Sequence, residues 1–165
     1  LEAASGDDIN TLSRAWLFDP IGVSTVAEWR PRGAIDLSLG DAGTQHWGLA
    51  LTARDMARFG LLAQRGGRWR TTQVLPEGWL AEAWTPLDIN PDYGYLWWLL
   101  GRTRRAAAEA PSDWVAALGA LDQKIYVVPS LDLVVARQGL AAGDAVEAGS
   151  SFDATLGAAV LRARA

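Results

Sequence analysis

The sequence predicts an α+β domain in which antiparallel strands are flanked by helices and a C-terminal helix packs on the sheet. Three observations carry that expectation. Two apolar runs, residues 123–128 and 133–137, are joined by Pro129-Ser130-Leu131-Asp132, a link short and polar enough for a hairpin. Residues 53–65 place Met56, Phe59 and the Leu61-Leu62 pair on one helical stripe. Residues 152–164 do the same with Leu156, Ala159 and Val160, ready to cover a sheet. The 165 residues, half of them apolar, suffice for one core, so residues 1–165 are assigned to a single domain.

Taken in order, Ser5-Gly6-Asp7-Asp8 reads as a turn feeding a helix over 9–17, with Ile9, Leu12 and Trp16 on one face and Asp19-Pro20 as its stop. Residues 21–48 are rich in Gly, Pro and Asp without a sustained period, which predicts a long excursion that either carries function or wraps the surface. Thr52-Ala53-Arg54-Asp55 resembles a capping box, in which the Thr hydroxyl and Asp carboxylate satisfy the free amides of a first turn. Gly66-Gly67 supplies the left-handed residue that closes this helix. A short helix follows over 76–84, opened by Pro76 and ended by Pro86. Beyond the turn at Asn90-Pro91-Asp92, the aromatic and aliphatic run 94–100 predicts a buried strand, an antiparallel neighbour of the hairpin.

Composition narrows the function. Fifteen basic and 19 acidic residues are spread along the chain for a net charge of −4, with no basic stripe, so nucleic acid is not an expected partner. No apolar run approaches the roughly 18 residues of a membrane span. The absence of cysteine removes disulfides, thiolate metal sites and a cysteine nucleophile together. The first residue is Leu1 and the only methionine is Met56, which points to a beginning removed by processing or truncation, and any export signal would precede Leu1.

A single histidine, His46, excludes a site built on several imidazoles, and it reads either as a pocket-wall residue or as the base of a Ser-His-Asp set. No Gly-x-Ser-x-Gly elbow surrounds any serine. Gly66-Gly67 follows a helix, where a phosphate loop would precede one. Among nine tryptophans, Trp97-Trp98 either pack one on each face of a sheet or offer one ring to a sugar or other planar ligand.

Several segments in order resemble the serine β-lactamase, penicillin-binding protein and esterase superfamily, in its class C-like branch with β-lactamase-related esterases and 6-aminohexanoate-dimer hydrolases. Leu17-Phe18-Asp19-Pro20-Ile21-Gly22-Val23 is similar to that family's Leu-Phe-x-Pro-Leu-Gly-Met helix exit. Trp47-Gly48-Leu49-Ala50-Leu51-Thr52-Ala53-Arg54-Asp55-Met56-Ala57-Arg58-Phe59-Gly60 resembles its Gly-rich turn and following helix. Gly67-Arg68-Trp69, Leu75-Pro76-Glu77-Gly78-Trp79, Tyr93-Gly94-Tyr95-Leu96-Trp97-Trp98 and the stretch 125–135 complete the succession.

The resemblance implies a partial β-lactamase-like fold, its C-terminal half, and hydrolysis of an amide or ester through an acyl-enzyme without metal or cofactor. In that family a serine in Ser-x-x-Lys attacks the carbonyl and a tyrosine in Tyr-x-Asn assists proton transfer. Here the only lysine, Lys124, has no serine three places before it, and Tyr93, Tyr95 and Tyr126 lack the following asparagine. The family's Lys/His-Thr/x-Gly strand edge aligns with Ala117-Leu118-Gly119-Ala120-Leu121-Asp122-Gln123, which has neither Lys nor His before Gly119. By this alignment the Ala120 N–H is one donor of the oxyanion hole, and Gly119, Ala120, Leu121 and Asp122 line the substrate site, with Gly119 allowing close approach. Asp122 stands where relatives often have glycine and would bring a carboxylate to the pocket edge. The other reading of 119–122 is a plain strand-entry loop.

Three functions remain in competition at this level. The chain is part of a serine hydrolase and inactive alone, a non-catalytic Trp-rich ligand-binding or interaction domain, or a complementing chain of a split hydrolase. The first and third expect a partner, an N-terminal half of the same fold, and predict self-association of the isolated chain through an exposed sheet face.

Overall fold

The computed structural model describes residues 2–34, 45–103, 109–140 and 151–164. Its centre is a three-stranded antiparallel sheet in the order β5 (Val115–Gly119), β6 (Gln123–Val128) and β7 (Leu133–Arg137). The register runs from Val115 opposite Val127 to Gly119 opposite Gln123, and from Lys124 opposite Arg137 to Val128 opposite Leu133. The predicted hairpin is therefore present, turned through Pro129–Leu131 and a left-handed Asp132.

Because strand side chains alternate between faces, β6 builds two cores. Ile125 and Val127 face α4 (Ala53–Gln64) and α5 (Trp79–Ala83), joining Met56, Ala63, Leu80, Ala83, Trp97 and Leu99. Tyr126 and Val128 face the other way, with Trp114, Ala116 and Leu100, under Leu156, Val160 and Leu161 of α7 (Ser151–Arg164). The terminal helix covers the sheet as the pattern predicts, except that Ala159 is exposed and Gly157 is buried in its place.

The capping box at the start of α4 is complete: the Asp55 N–H donates to Thr52 Oγ1 at 3.1 Å, and the carboxylate reaches back to the Thr52 amide. Gly66, at φ +62°, follows the helix as expected. In the middle of α4, Gly60 lets the helix lie on the sheet, since a Cβ there would stand 2.5 Å from Val134 Cγ1 and 2.9 Å from Ile125 Cγ2.

Four expectations are corrected. The helix over 9–17 continues past Asp19-Pro20: after α1 (Glu2–Ser5), α2 (Ile9–Ser13) passes through a π-helical turn (Arg14–Phe18) into α3 (Asp19–Ile21), and Gly22 in the left-handed region ends the run. The wide turn shifts the buried stripe to Leu12, Phe18 and Ile21 and leaves Trp16 61% exposed. The excursion 21–48 contains two strands, β1 (Glu28–Ala34) and β2 (Gln45–Ala50), paired antiparallel on their own. Pro31 hid β1, yet in a two-stranded ribbon a missing N–H can face away from the ladder. Asn10 pins this ribbon by accepting from the Trp29 N–H at 2.6 Å and donating to its carbonyl at 3.1 Å.

The helix over 76–84 is shorter than predicted, because Gly78 at φ +81° delays its start to Trp79. A small ribbon, β3 (Arg68–Trp69) with β4 (Thr72–Gln73), separates it from α4. Finally, 94–100 is not a strand. Leu96 is left-handed and exposed, Gly94 lies against the Ala83 carbonyl, and Leu100 opens α6 (Leu100–Thr103). Only Trp98 joins the sheet, exchanging two 2.8 Å backbone hydrogen bonds with Ala116 of β5.

Candidate active site

The turn from β5 to β6 holds all four of the residues singled out by the sequence. β5 is an outer strand of its sheet and ends at Gly119, opposite Gln123. Gly119, Ala120 and Leu121 are exposed, side by side at the sheet end, with Leu121 61% accessible. A Cβ on Gly119 would meet Cβ of Gln123, its partner across the β5–β6 pairing, at 3.3 Å, so glycine relieves crowding at the end of this ladder. Ala120–Asp122 form one 3-10 turn, with Leu121 at φ 58° and Asp122 at φ 61°.

Two successive non-glycine residues in the left-handed region are unfavourable, and the surroundings hold them there. Gln123 Nε2 donates to the Leu121 carbonyl at 2.8 Å and to the Gly139 carbonyl at 2.5 Å. Arg137, reaching across from β7, donates to the Asp122 carbonyl at 2.7 Å and to the Leu140 carbonyl at 2.6 Å. The guanidinium fork thus ties the turn to the chain leaving β7.

Asp122 differs from its neighbours. It is 6% exposed, and its Oδ1 lies 3.1 Å from Lys124 Nζ. The carboxylate is directed inward to this pair, away from the exposed edge formed by Gly119, Ala120 and Leu121. Lys124 is itself 2% exposed and lies 2.7 Å from Asp153 Oδ1 on α7, a carboxylate with no exposure. Tyr126 Oη donates to the same Asp153 oxygen. Burial, together with the hydrogen bond and negative charge of Asp153, raises the Tyr126 phenol far above its ordinary range, so it remains a donor.

Sequence reading missed this cluster, using Lys124 only as a lysine in the wrong place. The available signal was its position: Lys124, Tyr126 and Val128 share one face of an apolar strand, and a cation there requires an acid.

A second polar cluster lies at the start of α4. Asp55 Oδ2 accepts from Ser24 Oγ at 2.5 Å and Thr52 Oγ1 at 2.7 Å, and Oδ1 accepts from the Ser24 N–H at 3.0 Å with Arg58 at 3.3 Å. Burial alone would raise this carboxyl, but the hydrogen bonds from Ser24 and Thr52 outweigh it and hold the pKa at about 2. The cluster fastens the helix exit at Ser24 to α4. His46 lies on β2, and its side chain falls outside the described residues.

Trp97 and Trp98 both pack, one toward each core. Trp97 stacks on Phe59 at 6.1 Å and meets Trp84 edge-on at 5.8 Å, and Trp98 meets Tyr93 edge-on at 5.1 Å. A concavity of about 420 Å³ is lined by Trp84, Leu99, Arg102, Ser112, Asp113 and Val115. It sits at the opposite end of β5 from Gly119. Among the described residues no group of three or more His, Cys, Asp or Glu could hold a metal ion, and no helix is long and apolar enough to cross a membrane.

A central antiparallel sheet with helices on both faces and a C-terminal helix closing one of them is a β-lactamase-like arrangement, present here in part. The solved structure of a "putative beta-lactamase" from Bacteroides dorei DSM 17855 matches over 98% of this chain at 14% identity, with a TM-score of 0.59. The match covers 53% of that structure, so the chain spans about half the length of its structural neighbour. No protein-family model matches the chain, and no curated protein does either.

Proposed function

We propose that this chain is the C-terminal part of a serine hydrolase that cleaves an amide or ester bond through an acyl-enzyme. The nucleophile is supplied from outside these 165 residues, since no Ser-x-x-Lys or Tyr-x-Asn occurs within them. The observation that carries this reading is the exposed end of β5, Gly119 and Ala120, on an outer strand of a β-lactamase-like sheet.

A carbonyl laid along this strand end meets the Ala120 N–H, which stabilises the negative charge that grows on its oxygen as the serine attacks. The serine's own N–H is the second donor, and the base that removes the hydroxyl proton comes from the same outside segment. Water then releases the acyl group. Glycine at position 119 presents no side chain to a substrate laid on this strand end. An N-terminal segment of the same fold is what completes the site.

The purified chain is expected to leave a chromogenic cephalosporin and a short-chain ester intact and to resist a fluorophosphonate probe. Co-expression with a segment bearing Ser-x-x-Lys and Tyr-x-Asn is expected to give a complex that hydrolyses one of the two and labels on the added serine. Labelling of a serine in the chain alone would overturn the proposal.

A further inference from the structure

We infer that Asp153, Lys124 and Asp122 form a buried brace through which the C-terminal helix α7 sets the conformation of the Ala120–Asp122 turn. Three observations converge. Lys124 Nζ bridges Asp122 Oδ1 at 3.1 Å and Asp153 Oδ1 at 2.7 Å, so one ammonium joins the turn to the helix. All three residues are at most 6% exposed, where an ion contact is screened little and is costly to leave half-made. The turn so joined contains two left-handed non-glycine residues, a conformation that persists only where its surroundings over-determine it.

The geometry says which way the brace acts. Asp122 holds the end of the turn by its side chain from beneath, and Arg137 holds the same residue by its carbonyl from the side. With Asp122 fixed at both ends, Leu121 must project outward and the Ala120 peptide cannot rotate independently. Tyr126 fixes the far end by donating to Asp153, which keeps that carboxylate aimed at Lys124. Lys124, Asp153 and Asp122 are thus positioning residues. Their consequence for catalysis rests on the hydrolase reading of Ala120, while the brace itself does not.

The test is residue-resolved amide exchange on this chain. Lys124→Met and Asp122→Asn are compared with Val160→Ala, which loosens α7 without touching the brace. Asparagine tolerates the left-handed conformation, so Asp122→Asn removes the charge and keeps the backbone preference. Both brace variants are expected to raise exchange at the Gln123 amide, which closes the turn on the Ala120 carbonyl, at least tenfold over the wild type while the amides of 124–128 and of β7 stay protected, and Val160→Ala is expected to leave that ratio unchanged. Equal exchange of the turn in wild type and Asp122→Asn would overturn the brace even if Lys124→Met fails to fold, as would a matching response from Val160→Ala.

In a reconstituted active complex, Asp122→Asn is further expected to lower kcat at least fivefold with KM held, because an oxyanion donor acts in the transition state. Loosened exchange without any hydrolysis in the wild-type complex would retain the brace and remove the hydrolase reading.

Discussion

At the scale of single residues, Gly60 is a tight constraint inside a helix. Alanine would ordinarily favour a helix interior by about 1 kcal/mol over glycine. Here the added methyl meets Val134 and Ile125 inside contact distance, and the sheet side chains that must move are themselves packed. Gly60→Ala is therefore expected to destabilise by about 1–3 kcal/mol, read from the midpoint of urea unfolding. Asp55 gives a pH signature. Its folded pKa of about 2 lies below the ordinary 3.8, so its contribution is complete above about pH 4 and is lost as pH falls through about 2. Asp55→Asn is expected to flatten the acid limb of the stability profile over that window and to cost about 2–3 kcal/mol at neutral pH.

At the scale of elements, α7 stands out because it seals one face and supplies the second acid of the only lysine. Ending the chain at residue 150 should expose Trp114 and Tyr126 and leave Lys124 with half its countercharge. Loss of near-ultraviolet circular dichroism together with dye binding to exposed apolar surface is the expected outcome. Helix α4 and the hairpin were legible because their signals are local: a capping box, a glycine closure, two β-branched runs around a proline turn. β5 was not legible by its residues, because Val115-Ala116-Ala117-Leu118-Gly119 is poor in strand formers, while Tyr95-Leu96-Trp97-Trp98 is rich in them and forms none. The left-handed Leu96 and the close packing of Gly94 on the Ala83 carbonyl break the extended run, although Trp97 and Trp98 still pack toward opposite cores. The β1–β2 ribbon was hidden in the same way, held by Asn10 from a distant helix that no window around Pro31 contains.

At the scale of the whole molecule, the proposed hydrolase reading implies apolar surface that an N-terminal part of the fold would cover. Ile89, Leu96 and Leu140 are each more than 80% exposed. The isolated chain is expected to self-associate with rising concentration in sedimentation velocity, and a segment completing the fold should suppress this. A monodisperse, cooperatively unfolding monomer would contradict that expectation. The location of the candidate site, Gly119 to Asp122, came from an ordered succession of motifs, whereas the inward direction of Asp122 did not. Its carboxylate is directed by Lys124 and by an acid 31 residues further on, and a pairing across that span exists only once the last helix has docked.

The burial of Lys124 has a practical consequence. The chain contains one side-chain amine, and the fold hides it between a strand and the terminal helix. An amine-reactive ester can reach it only when the helix lifts from the sheet. The rate at which Lys124 is acylated should therefore report that opening directly, accelerating in Asp153→Asn and remaining near wild type in surface variants distant from α7. In this molecule the ammonium that holds the last helix in place also serves as a chemical clock for its departure.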